Sequence, residues 1–244
     1  MKAKDRTEAL IRQYSVLERL HYALDQGQSE LEQAIGWPLC IENCGKCCEV
    51  NTPVVLDTEV HYILSTVAYL PEVREKLVER SLDWLTHKHP GLSYGKIKGL
   101  PKTDEERKLL AYEATFLSSK QCPYLESTRC LIYDSRPLVC RRYGVTCPPD
   151  EWCPRKLHWT EAPGRRMIIG KDTELGQEID KLSRQLCRTV NGITGHYVGF
   201  LPTAIARELA PERLGQIADQ IADAKMAVGK PVLDLFYYKG RVLC

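Results

Sequence analysis

Four cysteines fall within nine residues, Cys40, Cys44, Cys47 and Cys48, in the run CIENCGKCCEV. Crowded thiolates repel one another unless something positive or covalent holds them. Three partners can do so: a metal ion, an iron–sulfur cluster or disulfide bonds. Cys122, Cys130, Cys140, Cys147 and Cys153 form a second set downstream. Cys44 and Cys47 make a C-x-x-C with Gly45 between them. That spacing lets both sulfurs converge on one centre with backbone amides turned toward them, and glycine tolerates the tight turn. Cys48 adjoins Cys47, and neighbours in an extended backbone point to opposite sides. Cys48 therefore serves a second centre or fills the core, unless the backbone turns there. Cys40 precedes Cys44 by four residues, which suits one helical turn.

The second segment reads CPYLESTRCLIYDSRPLVCRRYG. Cys122-Pro123 opens a turn, Leu131-Ile132-Tyr133 is an apolar anchor after Cys130, and Cys140 is expected at a helix start, where the dipole favours a thiolate. Arg136, Arg141 and Arg142 surround Cys140. They are either a solvated basic face or compensation for a multiply negative thiolate site, a task arginine suits because it stays charged and donates several hydrogen bonds. Cys147 and Cys153, in CPPDEWCP, are either further ligands or small buried hydrophobes. Cys187 reads as a core residue and Cys244 as a terminal thiol.

These two segments resemble the YkgJ-like CxxCxxCC cysteine-cluster family, described as zinc- or iron-chelating. Its second segment carries a cysteine, a proline and an apolar position, then C-x-I-Y, R-P and a C-R pair. Here stand Cys122-Pro123-Tyr124-Leu125, Cys130-Leu131-Ile132-Tyr133, Arg136-Pro137 and Cys140-Arg141. Val54 to Glu59 is similar to the family's strand-to-helix step. Three residues separate Cys40 from Cys44 where the family usually has two. The resemblance covers roughly residues 40–60 and 120–145. It implies metal binding and leaves the metal open between zinc and iron.

Zinc usually takes four soft ligands from two C-x-x-C knuckles, whereas iron–sulfur clusters accept irregular spacing. One clean C-x-x-C, a vicinal pair and long spacings favour a 4Fe–4S cluster over zinc, and the ligand surplus allows two sites. The leading expectation is a metal-binding protein with a 4Fe–4S cluster in a structural or redox role. Its candidate ligands are Cys40, Cys44, Cys47, Cys48, Cys122, Cys130, Cys140, Cys147 and Cys153, with Arg136 and Arg141 as cofactor-binding cations. One alternative is an enzyme modifying a protein or peptide, suggested by a distant resemblance of the cysteine motif to flagellin lysine methylases. The methyl-donor pocket this needs finds only Gly192-Ile193-Thr194-Gly195 and Gly199, with no convincing strand before them, so a loop with Tyr197 and Phe200 packed inward is the preferred reading. The other alternative is a zinc-stabilised interaction module, which chelation would unfold. No G-x-S-x-G, H-E-x-x-H or P-loop supports hydrolase or nucleotide chemistry.

The chain has 244 residues, 43% of them hydrophobic, so a packed core is attainable. Its 34 Lys and Arg against 32 Asp and Glu give a formal charge of +2, which argues against a nucleic-acid partner. No secretory signal opens the sequence and no stretch reaches membrane-spanning length, so a cytoplasmic protein with an unidentified protein partner or substrate is expected. In a reducing compartment clustered cysteines read as metal ligands first, and the odd total of eleven forbids complete pairing within one chain.

The elements that must position these residues read as mainly α. Helices are expected over 5–26, from an Asp57 N-cap to about Ala68, from Pro71 into HKHPGLSYG, from Thr103 to about Phe116, and over 172–190 and 202–226. Leu10, Tyr14, Leu17, His21 and Leu24 share one face of the first, and His21 reads there as a packed core residue rather than a ligand. His87 and His89 read as solvated near a helix end. Residues 90–102 read as a loop, Val50 to Leu56 as extended, 165–169 as a short strand, and PVLDLFYYKGRVLC as a C-terminal β-hairpin. The expected architecture is a single domain, 1–244, with helices packed around an irregular cysteine-rich segment spanning 40–60 and 120–153.

Overall fold

The structure is a computed structural model and describes residues 3–36, 38, 45–49, 52–87, 121–143, 145–146, 168–191 and 198–224. It is mainly helical, with a small antiparallel strand pair. Contacts divide the chain into two compact units, one drawn from Met1–Cys47 and Arg136–Thr194, the other from Cys48–Ser135 and Gly195–Gly240. Among the described residues no helix is long and apolar enough to cross a membrane.

The first unit is organised on α1, Ala3–Ile35. Leu17, Leu20, Leu24, Leu31 and Ile35 are buried at helical spacing, so the apolar stripe carries the helix nine residues past the expected end at 26. Gly27 interrupts that stripe in the sequence and fits the packing. A methyl group there would meet Val145 at 3.0 Å and Ile169 at 3.2 Å, so its bare Cα admits the chain lying across it. The helix stops at Gly36, whose φ of +79° is left-handed and whose N–H donates to the Glu32 carbonyl at 2.9 Å.

Two further helices pack on α1: α5, Leu138–Arg142, and α6, Glu174–Asn191. The buried face of α6 is Ile179, Leu182 and Leu186, again at spacings of three and four. Thr173 caps α6: its Oγ1 accepts the Gly176 N–H at 3.0 Å and donates to the Gly170 carbonyl at 2.7 Å.

In the second unit β1, Val54–Leu56, pairs antiparallel with β4, Val198–Phe200, with Val55 opposite Gly199. Each strand runs straight into a helix, α3 (Asp57–Thr66) after β1 and α7 (Leu201–Leu209) after β4. The Leu201 N–H closes the junction on the Pro53 carbonyl at 2.9 Å. Helix α4, Pro71–His87, packs along α7, and α8, Pro211–Ala224, lies against both. One apolar cluster joins Val55, Val60, Ile63, Leu77, Tyr124 and Ile205. A second joins Leu82, Trp84, Phe200 and Leu214, with the Trp84 and Phe200 rings 6.0 Å apart.

Two helix boundaries differ from expectation. Asp57 is the first residue of α3 and Leu56 its N-cap. The Glu59 carboxylate accepts the Leu56 N–H at 2.9 Å, and Asp57 instead pairs with Arg207 of α7. The helix expected over 202–226 is two helices. Pro211 has no N–H to continue α7 and pushes Ala210 out of helical geometry, to φ −146° and ψ 53°.

The loop 90–102, the helix from Thr103, residues 165–167, Gly192 to Tyr197 and the C-terminal hairpin lie outside the described residues. Ile168 and Ile169, which are described, are not in a strand; Ile169 instead donates its N–H to the Val145 carbonyl at 2.7 Å. Phe200 is packed inward, as expected, but it and Gly199 lie on strand β4 rather than in a loop, paired with Val54 and Val55.

Candidate metal centre

The second cysteine segment is built by a tight hairpin. Strands β2, Leu125–Glu126, and β3, Arg129–Cys130, pair antiparallel with Leu125 opposite Cys130. Ser127 and Thr128 make the turn, and Ser127 carries a φ of 56°, the positive value that a two-residue hairpin turn demands at its first central position. Beyond the strands the Leu131 N–H donates to the Tyr124 carbonyl at 2.8 Å, and Ile132 anchors the far side in the core. Cys122 is buried, while Cys130 is half-buried against the same apolar cluster.

Helix α4 straps this hairpin, a positioning role the sequence reading missed. Arg80 Nη1 donates to the carbonyls of Pro123 and Leu125, each at 3.3 Å, and its Nη2 reaches the Glu126 carboxylate at 2.8 Å. Lys76, one turn earlier, reaches the same carboxylate at 3.0 Å. These two cations, Lys76 foremost, hold the Glu126 carboxyl below its usual range. Inside, Ser81 meets the Tyr124 hydroxyl at 2.6 Å. The signal available in the sequence was Lys76, Leu77, Arg80 and Ser81 at helical spacing on one face. Their partners lie more than forty residues away, which no local pattern encodes.

The first segment meets the second directly. Cys47 and Cys48 lie on α2, Lys46–Glu49, so the backbone does turn at the vicinal pair. On a helix consecutive side chains diverge by about 100° rather than 180°. The Cys122 N–H donates to the Cys48 carbonyl at 2.7 Å, and Thr52 Oγ1 donates to the Gln121 carbonyl at 3.3 Å. Cys48 is half-buried on the apolar cluster that contains Cys122. Cys48, Cys122 and Cys130 thus all border one apolar cluster.

Cys140 is half-buried in the first turn of α5. Of the arginines around it, Arg141 is buried and bidentate to Asp25, its Nη1 lying 2.6 and 2.7 Å from the two carboxylate oxygens. Its Nε donates to the Arg136 carbonyl at 3.2 Å. Arg136 reaches the Gln28 side-chain oxygen at 3.2 Å. Both therefore tie α5 to α1, and Asp25 already balances the buried Arg141 charge. His21, buried on α1, is a core residue as expected. Burial first, then Arg141 and Arg136, pushes its pKa down to about 3, so its ring stays neutral at ordinary pH.

Thiolate donors suit soft metals, zinc and iron–sulfur iron alike, so the donor set fits the metals weighed above. Among the described residues no three of His, Cys, Asp and Glu stand close enough together to hold a metal, and none of the five described cysteines is joined to another by a disulfide. Cys40, Cys44, Cys147 and Cys153 lie outside the described residues, as does Cys244, and the Cys187 side chain on α6 is not described.

No curated protein and no solved structure matches the chain. The family model CxxCxxCC, described as a putative zinc- or iron-chelating domain, matches residues 39–161. That span takes in both cysteine segments and half of the chain, so this protein belongs to the CxxCxxCC family of cysteine-cluster chelating domains.

Proposed function

We propose that this protein binds iron as a 4Fe–4S cluster in the cytoplasm. The observation that carries the reading is the 2.7 Å hydrogen bond from the Cys122 amide to the Cys48 carbonyl, which places residues of two distant cysteine segments side by side. Cys48, Cys122 and Cys130 supply sulfurs from one apolar cluster. A 4Fe–4S cluster takes four cysteine ligands, and the other candidates are Cys40, Cys44, Cys47, Cys140, Cys147 and Cys153. The low-dielectric wall of Ile132, Tyr124 and Val60 shields one side, a surrounding that tunes any bound centre. Bound there, a 4Fe–4S cluster supplies either a cross-link between chain segments or one-electron redox chemistry.

Irregular cysteine spacing favours the cluster over a single zinc ion, which usually takes ligands from paired C-x-x-C knuckles. The test is anaerobic purification followed by iron, acid-labile sulfide and zinc analysis with a visible absorption spectrum. Iron and sulfide in equal amounts, with broad thiolate-to-iron absorption, are expected. Zinc without sulfide would reject the cluster and leave the zinc-stabilised module standing.

A further inference from the structure

We infer that Cys48 and Cys122 form a peroxide-driven disulfide in the metal-free chain, a modification that closes the centre to metal until the bond is reduced. The consequence for metal loading rests on the metal-binding reading above, whereas the disulfide itself rests on geometry alone.

The Cys122 N–H lies 2.7 Å from the Cys48 carbonyl. A single backbone bond of this kind brings the two residues within reach of the roughly 4.4–6.8 Å Cα separation that disulfides span. Both side chains pack on the cluster that contains Val55, Val60, Ile63 and Leu77. Cys47 is the nearer neighbour of Cys48 in sequence, but consecutive Cα atoms are about 3.8 Å apart, inside the disulfide range's lower limit. Cys130 packs on the same cluster, but its own pairing is with Leu125 in the hairpin.

Exposure sets the order of events. Cys48 is half-buried and Cys122 buried, so a hydroperoxide in water meets Cys48 first. The Cys48 sulfur attacks one peroxide oxygen. A sulfur–oxygen bond forms, the oxygen–oxygen bond breaks, and water leaves with the thiol proton, giving a sulfenic acid. The Cys122 sulfur then attacks the Cys48 sulfur. The sulfur–sulfur bond forms, the sulfur–oxygen bond breaks, and a second water carries off the Cys122 proton. The two thiols give up two electrons, and these reduce one hydroperoxide. Metal bound beforehand occupies the sulfurs and blocks the first attack.

The experiment treats chelator-stripped, full-length protein with equimolar hydrogen peroxide and maps the unreduced peptides by mass spectrometry. The expected product is a Cys48–Cys122 link, retained in Cys47→Ser, with uptake of iron or zinc lowered roughly tenfold or more and restored by dithiothreitol. In Cys122→Ser the same treatment is expected to leave Cys48 as a sulfenic acid, trapped by dimedone. Oxygen addition at Cys48 without a link, or a link from Cys48 to any other cysteine, would overturn the inference. A link in a chain that takes up neither metal would sustain the disulfide and remove the functional reading. A chain that loads metal and never forms the link would do the reverse.

Discussion

The Tyr124 hydroxyl lies 2.6 Å from Ser81 Oγ, with both side chains fully buried in the second unit. Ser81 already donates its one proton to the Leu77 carbonyl at 2.5 Å, so Tyr124 is the donor in this pair. Burial raises the phenol's pKa well above its usual value of 10.0, which keeps that proton in place. The bond fixes the residue that lies between Cys122 and the hairpin strands. Ser81→Ala leaves a buried hydroxyl unpaired and should cost about 1–3 kcal/mol; Tyr124→Phe should cost less, since Ser81 keeps Leu77. Denaturant unfolding of both and of the double variant checks this. A double variant as damaged as the sum of the two singles would contradict the pairing.

Arg80 should matter through its fork rather than its charge. Arg80→Lys keeps a cation but cannot serve two carbonyls and a carboxylate together. Amide hydrogen exchange at Leu125 and Leu131 is expected to quicken severalfold in that variant; unchanged protection would show that the strap is ornamental. The clamp also has a pH sense. The Glu126 carboxyl is depressed below 4.5, chiefly by Lys76, so its stabilisation is present above the ordinary carboxylate range and disappears as acid protonates it. Glu126→Gln should abolish that acid-dependent loosening.

His21 gives a second, independent pH signature. Its folded pKa is pushed from 6.5 to about 3, so between those values an unfolded chain takes up a proton that the folded chain refuses. Stability must therefore fall as pH drops below 6.5, by up to about 1.4 kcal/mol per unit from this group. His21→Gln should flatten the slope between pH 6.5 and 4.5 when metal-free protein is unfolded in urea. An unaltered slope would assign the acid sensitivity to other groups.

Two glycines on helices should respond in opposite directions to alanine. A Cβ at Gly176 would sit 1.9 Å from the Gly170 carbonyl oxygen, so Gly176→Ala must displace the capping turn and should cost roughly 2 kcal/mol or more. Nothing lies within 4 Å of a Cβ at Gly215, inside α8. Gly215→Ala should stabilise by about 0.5–1 kcal/mol through helix propensity and a less free unfolded chain. Thermal unfolding of the pair reads both signs.

Legibility in the sequence followed the range of the interaction. Helical stripes, the proline starts of α4 and the strand at Val54–Leu56 depend on near neighbours and were readable. The extension of α1 was hidden because Gly27 reads as a break in the stripe, whereas its missing side chain is what lets Val145 and Ile169 approach. The cysteines declared the chemistry by type and spacing alone. Their supports did not: Arg80 holds a hairpin forty-six residues away and Arg141 finds Asp25 over 116 residues. Arg141 looked like a counter-charge for thiolates because Cys140 is its neighbour in sequence, and the carboxylate that meets it is on another helix.

The account stands most directly on sulfur being what holds the metal. X-ray absorption at the metal edge of anaerobically purified protein reads this without assuming iron or zinc. The account predicts nearest scatterers that are predominantly sulfur, at about 2.3 Å. A nearest shell of nitrogen and oxygen alone at about 2.0–2.1 Å would contradict it.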